Sequence, residues 1–315
     1  VLGGGSNLLA SDAPFDGTVV AVRPGAEIAR IVEEDAAGSV IVRVWAGTVW
    51  DDFVAWSVDE HLSGIEALSG IPGSAGASPV QNVGAYGHEV AETIHSVEAY
   101  DRLEQRIVRL LPSELGFAYR SSAIKHSIGQ PGLPGRVWGP TGRWVVLSVD
   151  FRLERSSLSA PVMYSELARR LGVEAGERAE ASLVRSTVLE LRAGKGMVLN
   201  PEDHDTWSAG SFFTNPILPE AVAAALPEEA PRFPAGEGLV KTSAAWLIDH
   251  AGCHLLEAGD PPRASLSTKH VLALTNRGGA SGADIEALAR AVRERVFDAY
   301  GVTLVPEPVA IGIEW

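Results

Sequence analysis

The stretch from Gly70 to Gly87 reads GIPGSAGASPVQNVGAYG and contains no charged residue. Its glycines recur at three-residue intervals up to Gly76 and return at Gly84, and serine and alanine fill most of the gaps. Glycine lets a backbone approach another group closely, because it has no Cβ atom. Loops that face solvent usually carry charge, whereas this one carries none. The stretch therefore predicts a loop whose backbone lies against a buried ligand.

A second glycine-rich stretch opens the chain, where residues 1–9 read VLGGGSNLL. Three glycines after an apolar entry predict a tight turn whose backbone N–H groups suit a diphosphate. Ser6 and Asn7 add side-chain donors, and the amides of Gln81 and Asn82 suit the edge of a ring. Neither G-x-G-x-x-G nor G-x-x-x-x-G-K-[ST] occurs in the chain. The sequence therefore does not predict a Rossmann dinucleotide site or a P-loop.

The composition narrows the class of protein. The chain has 315 residues, of which 46% are hydrophobic and 21% charged, and its formal net charge is −14. This length favours two or three domains at roughly 100–200 residues each. The acidic balance argues against a nucleic-acid partner, which needs a basic face, and no apolar run reaches the ~18 residues that predict a membrane span. The single cysteine, Cys253, cannot form an internal disulfide, so we interpret it as a small core residue in a reducing, cytoplasmic compartment.

Hydrophobic periodicity predicts mixed helix and strand. Apolar residues have helical spacing within residues 49–61 and again over 282–300. The second helix has a capping signal in Ser281 and Asp284 and a stop signal in Gly301. Strands are predicted at residues 18–24, 40–47, 143–154 and 301–315, and a surface loop at residues 226–238.

Four further motifs follow in order along the chain: FAYRSSAIK (117–125), SAGSFFTNP (208–216), KTSAAWLIDHAG (241–252) and LVPEPVAIG (304–312). With the two glycine-rich stretches they span nearly the whole sequence. The combination resembles the UDP-N-acetylenolpyruvoylglucosamine reductase family of bacterial peptidoglycan precursor synthesis. Members of this family normally carry several dozen residues before the first glycine-rich motif, so we expect an upstream segment before Val1.

The resemblance implies an α+β fold of the vanillyl-alcohol-oxidase or PCMH type, in which two subdomains bind FAD and a C-terminal α+β domain binds substrate. Applied to this chain, it implies a first FAD-binding subdomain at residues 1–50. The second FAD-binding subdomain would take residues 51–202 and 302–315, and the substrate-binding domain residues 203–301. The family is mostly monomeric, so a monomer is expected.

The resemblance also implies that FAD is bound non-covalently and that no metal takes part. Some proteins of this fold attach their flavin through a histidine, but in this family the attachment is absent, and we interpret His88 as a solvated residue. The implied cofactor-binding residues are Gly3, Gly4, Gly5, Ser6, Asn7, Ser69, Ile71, Pro72, Gly73, Gly76, Ala77, Gln81, Asn82, Gly84, Ala85, Tyr86 and Gly87.

The reaction that the resemblance implies begins when NADPH reduces FAD. UDP-N-acetylglucosamine enolpyruvate then receives a hydride from flavin N5 at C3 and a proton from Ser211 at C2, which yields UDP-N-acetylmuramate. An enol ether is a poor hydride acceptor, so its carboxylate must be polarised to stabilise the developing charge. Arg120 matches the family arginine that grips this carboxylate, as a guanidinium does well in a bidentate pair. Glu307 matches the family glutamate at the other end of the carboxylate.

The remaining site residues come from the same motifs. The resemblance implies substrate contacts for Tyr119, Tyr164, Lys195, Asn215 and His270, with Lys195 on a phosphate and Tyr164 on a loop that closes over the diphosphate. The chain departs from the family pattern in three places. Ser121 replaces a common aspartate, Thr214 a common lysine, and the arginine that often follows Glu307 by two residues is Val309 here.

Two other classes remain open from the sequence. One is a different flavoenzyme of this fold, such as an oxidase of small alcohols, and the other is a non-catalytic flavin- or nucleotide-binding protein. An oxidase does not need a proton donor for C2, so the set of Arg120, Ser211 and Glu307 argues against it. The same set argues against a homologue that has lost its chemistry.

Overall fold

The computed structural model describes residues 1–132, 134 and 137–315. The strands are Leu8–Ala10 (β1), Ala29–Glu34 (β2), Ser39–Trp45 (β3), Leu62–Ser63 (β4), Gly84–Ala85 (β5), His88–Glu89 (β6), Ile94–Asp101 (β7), Arg106–Leu110 (β8), Trp144–Arg155 (β9), Ser208–Ser211 (β10), Ile217–Pro219 (β11), Arg232–Pro234 (β12), Leu239–Thr242 (β13), Glu257–Ala258 (β14), Ala264–Leu266 (β15), Ala273–Asn276 (β16) and Val309–Ile311 (β17). The helices are Trp50–Asp59 (α1), Pro112–Leu115 (α2), Ala123–His126 (α3), Ser165–Leu171 (α4), Ala181–Gly194 (α5), Glu220–Ala224 (α6), Ala244–His250 (α7) and Gly282–Tyr300 (α8).

The chain divides into two compact units. The first unit contains residues 1–6 and 17–193, and the second contains residues 7–16 and 194–315. The three-part division predicted from the sequence places its boundaries elsewhere, at residues 50, 202 and 302. It stays a prediction, although residues 302–315 lie in the second unit rather than with the first.

An antiparallel sheet in the order β2-β3-β9-β7-β8 forms the centre of the first unit, and β4 pairs with β9 beside it. The side chains of Val40, Val42 and Val44 in β3 are fully buried, because alternate residues of a strand face the same side. Val42 lies opposite Phe151 of β9 in the sheet register. These residues form the core on which the first unit is built.

Helix α1 covers the apolar face of this sheet. The Trp50 and Phe53 side chains are buried, and the Phe53 ring lies 5.1 Å from the ring of Phe151. The Trp50 indole N–H donates to the Leu68 carbonyl at 2.9 Å, so its polar atom is satisfied inside the core. The helix thereby links the sheet to the segment that enters the glycine-rich loop at Gly70.

The second unit contains smaller sheets around two helices. One sheet has the order β10-β16-β15-β14, a second the order β11-β13-β12, and β1 pairs with β17 in parallel. Phe213, Leu247 of α7 and Leu288 of α8 lie in one buried cluster with Cys253. Burial raises the pKa of the Cys253 thiol to about 11. The prediction that this cysteine is a small core residue is confirmed.

Helix α8 begins and ends where its sequence signals predict. The Ser281 hydroxyl accepts from the Asp284 N–H at 3.1 Å, and the Asp284 carboxylate accepts from the Ser281 N–H at 2.9 Å. Gly301 ends the helix with a φ of 67°, which glycine adopts without strain. The predicted helix at residues 49–61 and the predicted strands at 40–47 and 143–154 are likewise confirmed by α1, β3 and β9.

Three local predictions were wrong in whole or in part. Residues 18–24 form no strand beyond a single bridge of Ala21 to Leu2, because no neighbouring strand pairs with the rest of this β-branched run. Of the predicted closing strand, Val309–Ile311 forms a strand and Pro306 forms one isolated bridge to Phe213, since Pro306 and Pro308 lack the N–H that a continuous ladder requires. The predicted loop at 226–238 contains β12. Among the described residues, no helix combines the length and apolar character needed to cross a bilayer.

Candidate active site

The two glycine-rich stretches meet backbone to backbone in the first unit. A Cβ atom added to Gly4 would lie 2.9 Å from the Gly73 Cα, and one added to Gly76 would lie 2.4 Å from the Ala46 Cβ. Both distances are shorter than the contacts that real Cβ atoms make. The backbone can therefore pack this closely only where the residue is glycine. The Gly76 N–H donates to the Ala46 carbonyl at 2.9 Å. The result is a closely packed layer of uncharged backbone, the glycine cradle, whose composition suits an extended dinucleotide such as FAD.

The remaining residues of the longer stretch are held by hydrogen bonds within the first unit. The buried Asn82 side chain donates to Glu89 at 2.6 Å and to the Ala118 carbonyl at 3.1 Å, and its oxygen accepts from the Ala91 N–H at 3.1 Å. Its amide therefore fixes the loop. The buried Ser69 hydroxyl donates to the Glu66 carbonyl at 2.6 Å. Other predicted cofactor residues of this stretch are Ile71, Pro72, Ala77, Gln81 and Ala85.

One face of helix α5 supports the loop, and the sequence patterns did not predict this support. The Arg192 guanidinium donates to the Gly70 carbonyl at 3.1 Å, and Asp51 accepts from the Gly70 N–H at 2.6 Å. Arg185 binds the same Asp51 carboxylate at 2.6 and 2.9 Å. Burial lowers the pKa of Arg192, while the negative charge of Asp51 opposes that change. The sequence did contain a signal for this support, because Arg185 and Arg192 are seven residues apart and such residues lie on one face of a helix.

Arg120 lies in a tight turn of the first unit, where Ala118 and Ser121 form a bridge. Its φ is +52°, a conformation that costs free energy for any residue with a side chain and that concentrates at functional sites. The guanidinium donates to the Gly84 carbonyl at 2.8 Å and lies 5.4 Å from the Tyr119 ring centre. The structure thus places the predicted carboxylate-binding arginine directly against the glycine-rich stretch.

Tyr86 and Tyr164 also meet in the first unit. Tyr86 and Gly87, with φ values of 51° and 88°, form the two-residue turn between β5 and β6, as type I′ hairpins require. The Tyr86 ring packs edge-on against the Tyr164 ring with 5.4 Å between ring centres. His88 follows this turn and is buried, so the prediction that it is a solvated residue was wrong. Its partners are described below.

Ser211 and His270 form a pair in the second unit. Ser211 ends β10, where the register with β16 is irregular between Ser208 and Ser211, and Gly210 has a φ of 78°. This bulge turns the Ser211 side chain toward His270, and its hydroxyl oxygen lies 3.3 Å from the His270 Nε2 atom. The two residues are 59 positions apart in sequence.

Backbone hydrogen bonds pair the segment around Glu307 with the residues that directly follow Ser211. Its N–H donates to the Phe212 carbonyl at 2.8 Å, and Thr214 donates to the Val305 carbonyl at 3.0 Å. Phe213 and Pro306 form the bridge between these two bonds. The backbone of Glu307 is therefore fixed next to the residue that follows Ser211.

The loop that carries His270 is held by carboxylates. Asp205 accepts from the Thr268 N–H at 3.1 Å and from the Thr268 hydroxyl, and it pairs with Arg277 at 2.7 Å. Lys269 pairs with Asp203. Burial alone would raise the pKa of Asp205, but the bonds from Thr268 and Arg277 outweigh it and hold that pKa below its ordinary value. These contacts hold the loop that positions His270.

Two predicted substrate residues lie in the second unit with this pair. Lys195 is half-buried and directly follows α5. The Asn215 side-chain oxygen accepts from the Ala244 N–H at 3.0 Å, at the first turn of α7. Asn7 is in this unit too, and its carbonyl accepts from the Val309 N–H at 3.0 Å. The structure thus gathers Arg120, Tyr119, Tyr86 and Tyr164 in the first unit, and Ser211, His270, Glu307, Lys195, Asn215 and Asn7 in the second.

Two family models match the chain. One, described as "FAD binding domain", matches residues 1–110, and the other, described as "UDP-N-acetylenolpyruvoylglucosamine reductase, C-terminal domain", matches residues 200–311. They confirm the predicted fold class, an α+β FAD-binding fold of the vanillyl-alcohol-oxidase or PCMH type with a further C-terminal domain. FAD is the cofactor of such a chain, as the glycine cradle also indicates.

Curated relatives match over nearly the whole chain. The UDP-N-acetylenolpyruvoylglucosamine reductase of Cutibacterium acnes is 54% identical over 315 residues, which cover 99% of this chain and 78% of that protein. The enzyme of the same name from Salinispora arenicola is 51% identical and matches 99% of this chain and 83% of its own length. The crystal structure of the Thermus caldophilus reductase superposes with a TM-score of 0.58 at 25% identity, covering 98% of this chain and 84% of that one.

Proposed function

Because the chain belongs to the UDP-N-acetylenolpyruvoylglucosamine reductase family, we propose that it reduces UDP-N-acetylglucosamine enolpyruvate to UDP-N-acetylmuramate with NADPH. The reaction adds a hydride to C3 of the enolpyruvyl group and a proton to C2. FAD, when bound, accepts a hydride from NADPH and provides one for the substrate. The residues of this chain bind the two substrates, hold the carboxylate and deliver the proton.

The observation that carries this proposal is the contact of 3.3 Å between Ser211 and His270. A serine hydroxyl alone is a very weak acid, and proton transfer by a side chain needs a donor that is held in place and recharged. An imidazolium at His270 donates to the Ser211 oxygen while Ser211 gives its own proton to C2. The hydroxyl is thereby restored, and His270 is left neutral. One proton leaves the pair and one proton reaches the product, so the step is balanced.

Charge at the carboxylate is the second requirement. The hydride makes the adjacent carboxylate more negative, and a fixed cation lowers the free energy of that state. We assign this role to Arg120, whose backbone strain and bond to Gly84 hold the guanidinium in one place. We assign contact with the other end of the carboxylate to Glu307. Its backbone is held in place because its N–H donates to the Phe212 carbonyl.

We propose that the rest of the sugar nucleotide is bound by Tyr119, Tyr164, Lys195 and Asn215. Lys195 supplies a positive charge for a phosphate, and Tyr164 covers the diphosphate. NADPH and the sugar nucleotide use the same residues in turn, which agrees with a sequence that lacks a Rossmann motif. We also propose that the chain works as a monomer in the cytoplasm.

The proposal is tested by product analysis without oxygen. The FAD-loaded chain is mixed under argon with NADPH and UDP-N-acetylglucosamine enolpyruvate, and the sugar nucleotide is analysed by mass spectrometry. We expect one UDP-N-acetylmuramate for each NADPH consumed, and a large loss of rate in Ser211→Ala. If NADPH is consumed only when air is admitted, with hydrogen peroxide as the product, the chain is an oxidase and the proposal fails.

A further inference from the structure

His88 is a buried side chain that the proposed reaction does not use. It begins β6, directly after the turn of Tyr86 and Gly87, and its side chain is only 9% exposed. The Nδ1 atom lies 2.8 Å from a carboxylate oxygen of Glu92, and the Nε2 atom lies 2.9 Å from the Pro161 carbonyl. The first contact is local, whereas the second spans 73 positions of sequence. His88 therefore connects the hairpin to a distant segment.

The chemistry of these two partners determines how the ring is protonated. A carbonyl only accepts hydrogen bonds, so Nε2 must carry a proton and donate it to Pro161. A carboxylate also only accepts when it is ionised, so the Glu92 contact requires a proton between Nδ1 and the carboxylate oxygen. The two contacts therefore hold the imidazole ring in one orientation between Glu92 and Pro161.

Residues 160–162 of the segment that His88 holds are each fixed by a hydrogen bond. The Ala160 N–H donates to the buried Glu66 carboxylate at 2.5 Å. Pro161 is held by His88. Val162 is buried, and its N–H donates to the Glu177 carbonyl at 2.7 Å. The anchored stretch ends there, and the exposed Met163 follows it.

Tyr164 then lies directly against the hairpin. A Cβ atom added to Gly87 would be 2.9 Å from the Met163 Cβ and 3.4 Å from the Tyr164 nitrogen. The Tyr164 ring packs on Tyr86, as described above. Tyr164 also starts helix α4, since its carbonyl accepts from the Ala168 N–H at 2.9 Å. Tyr164 therefore lies three residues after the Pro161 carbonyl that His88 holds, at the start of a helix and against the hairpin that carries Tyr86.

We propose that His88 is a positioning residue for substrate binding: it fixes the segment that presents Tyr164 beside Tyr86. This inference rests on the proposed function, because it assumes that Tyr164 contacts the sugar nucleotide. His88 touches neither substrate nor cofactor in this role. It acts only through the placement of Tyr164.

A double-mutant cycle on the full FAD-loaded chain tests this role. We expect His88→Ala to raise the KM for the enolpyruvyl sugar nucleotide about tenfold and to leave kcat within about twofold, as loss of ground-state binding does. In a Tyr164→Ala background the same change should raise KM by less than about twofold, because coupled residues are not additive.

Two further variants separate positioning from a loss of folding. His88→Gln keeps a donor for the Pro161 carbonyl and should restore KM to within about threefold of the unmodified chain. Glu92→Gln keeps the whole contact with a neutral ring, because its amide donates to Nδ1 and its oxygen still accepts from the Glu89 N–H. It should have the unmodified KM.

The outcomes are distinguishable. Equal tenfold effects of His88→Ala with and without Tyr164 would overturn the positioning role while leaving the reductase activity established. An unchanged KM in His88→Ala, or a KM in His88→Gln as high as in His88→Ala, would do the same. An unmodified chain that makes no UDP-N-acetylmuramate would overturn the proposed function and this inference together.

Discussion

The glycine cradle of the first unit and the Ser211–His270 pair of the second unit are built in opposite ways. The cradle consists of uncharged backbone, and its contacts depend on the absence of side chains at Gly4 and Gly76. The pair depends on polar side chains, and carboxylates hold the loop on which His270 lies.

The difference indicates a division of labour. A large planar cofactor with its diphosphate is held by shape and by backbone N–H groups, for which charge is not needed. A proton transfer needs two side chains at a fixed distance, so their supports must be stiff and polar. Substitutions in the cradle should therefore reduce the FAD content, and substitutions in the pair should reduce the rate while FAD stays bound.

The largest effect is expected for Ser211→Ala. Loss of a positioned acid costs about 10²–10⁴-fold in rate, so kcat should fall by that factor, with unchanged FAD content and melting temperature. Steady-state kinetics and the flavin absorbance of the purified variant measure both quantities. A variant that also loses FAD would break the comparison, because Ser211 would then belong to the cofactor site.

His270→Asn should come next, with a loss of about 10²-fold in kcat. The variant removes the imidazole and keeps a polar side chain, so the serine hydroxyl remains but is no longer recharged. Combined with Ser211→Ala it should add little, since residues that act as a unit are not additive. Full additivity of the two losses would show that His270 acts elsewhere on the substrate.

In the cradle, Gly76→Ala should reduce FAD binding. Its new Cβ would lie 2.4 Å from Ala46, and such overpacking costs about 1–3 kcal/mol. We expect FAD to dissociate about 10-fold or more readily, as measured by fluorescence titration. Gly194→Ala is the matched control, because a Cβ there meets nothing within 4 Å. An equal loss of FAD in both variants would contradict the role of the glycine cradle in FAD binding.

Away from both sites, Asp101 should affect stability alone. Burial would raise its pKa, but Arg143 and the N–H groups of Glu104 and Leu103 hold it at about 2. Because this folded-state pKa is depressed, the resulting stability of about 2 kcal/mol is present above about pH 4 and is lost as the pH falls toward 2. Asp101→Asn should lower the free energy of unfolding by that amount at pH 7 and flatten its acid dependence, with unchanged kcat.

Urea unfolding at several pH values measures this effect. The exposed Glu104→Gln is the control, and it should change the free energy of unfolding by less than about 0.5 kcal/mol. A loss of activity in Asp101→Asn beyond its loss of folded protein would show that this end of the inner strand β7 is coupled to the chemistry.

The smallest effect concerns Cys253. With a thiol pKa of about 11 in a buried position, only about a thousandth of the thiol is ionised at pH 8, so the folded chain should react very slowly with thiol reagents. The unfolded chain should react at the rate of a free cysteine. Rapid modification of the folded chain, with loss of activity, would place this residue in the second unit's chemistry.

Sequence reasoning succeeded where the determinants are local. Helix α8 could be predicted because Ser281, Asp284 and Gly301 lie within its ends. Site residues could be proposed for both units from specific short patterns, and their roles stay predictions. The run at residues 18–24 failed for the converse reason: β-branched residues favour a strand only where a partner strand exists.

The parts of the site that could not be predicted from the sequence are contacts between residues far apart in the chain. The Ser211–His270 pair joins positions 59 apart, and nothing in either motif shows that they face each other. His88 was interpreted as solvated because its decisive partner, Pro161, is far away in sequence. The bond of Arg192 to Gly70 spans 122 positions, although the helical spacing of Arg185 and Arg192 offered a clue.

The most direct test of the division of labour is a single-turnover experiment without oxygen on the unmodified chain and Ser211→Ala. NADPH first reduces the bound flavin, and the enolpyruvyl sugar nucleotide is then added while the flavin absorbance is followed. We expect both chains to be reduced at the same rate, and only the unmodified chain to be reoxidised rapidly by the sugar nucleotide. Rapid reoxidation of Ser211→Ala would contradict the account, because the proton would then come from a group other than the Ser211–His270 pair.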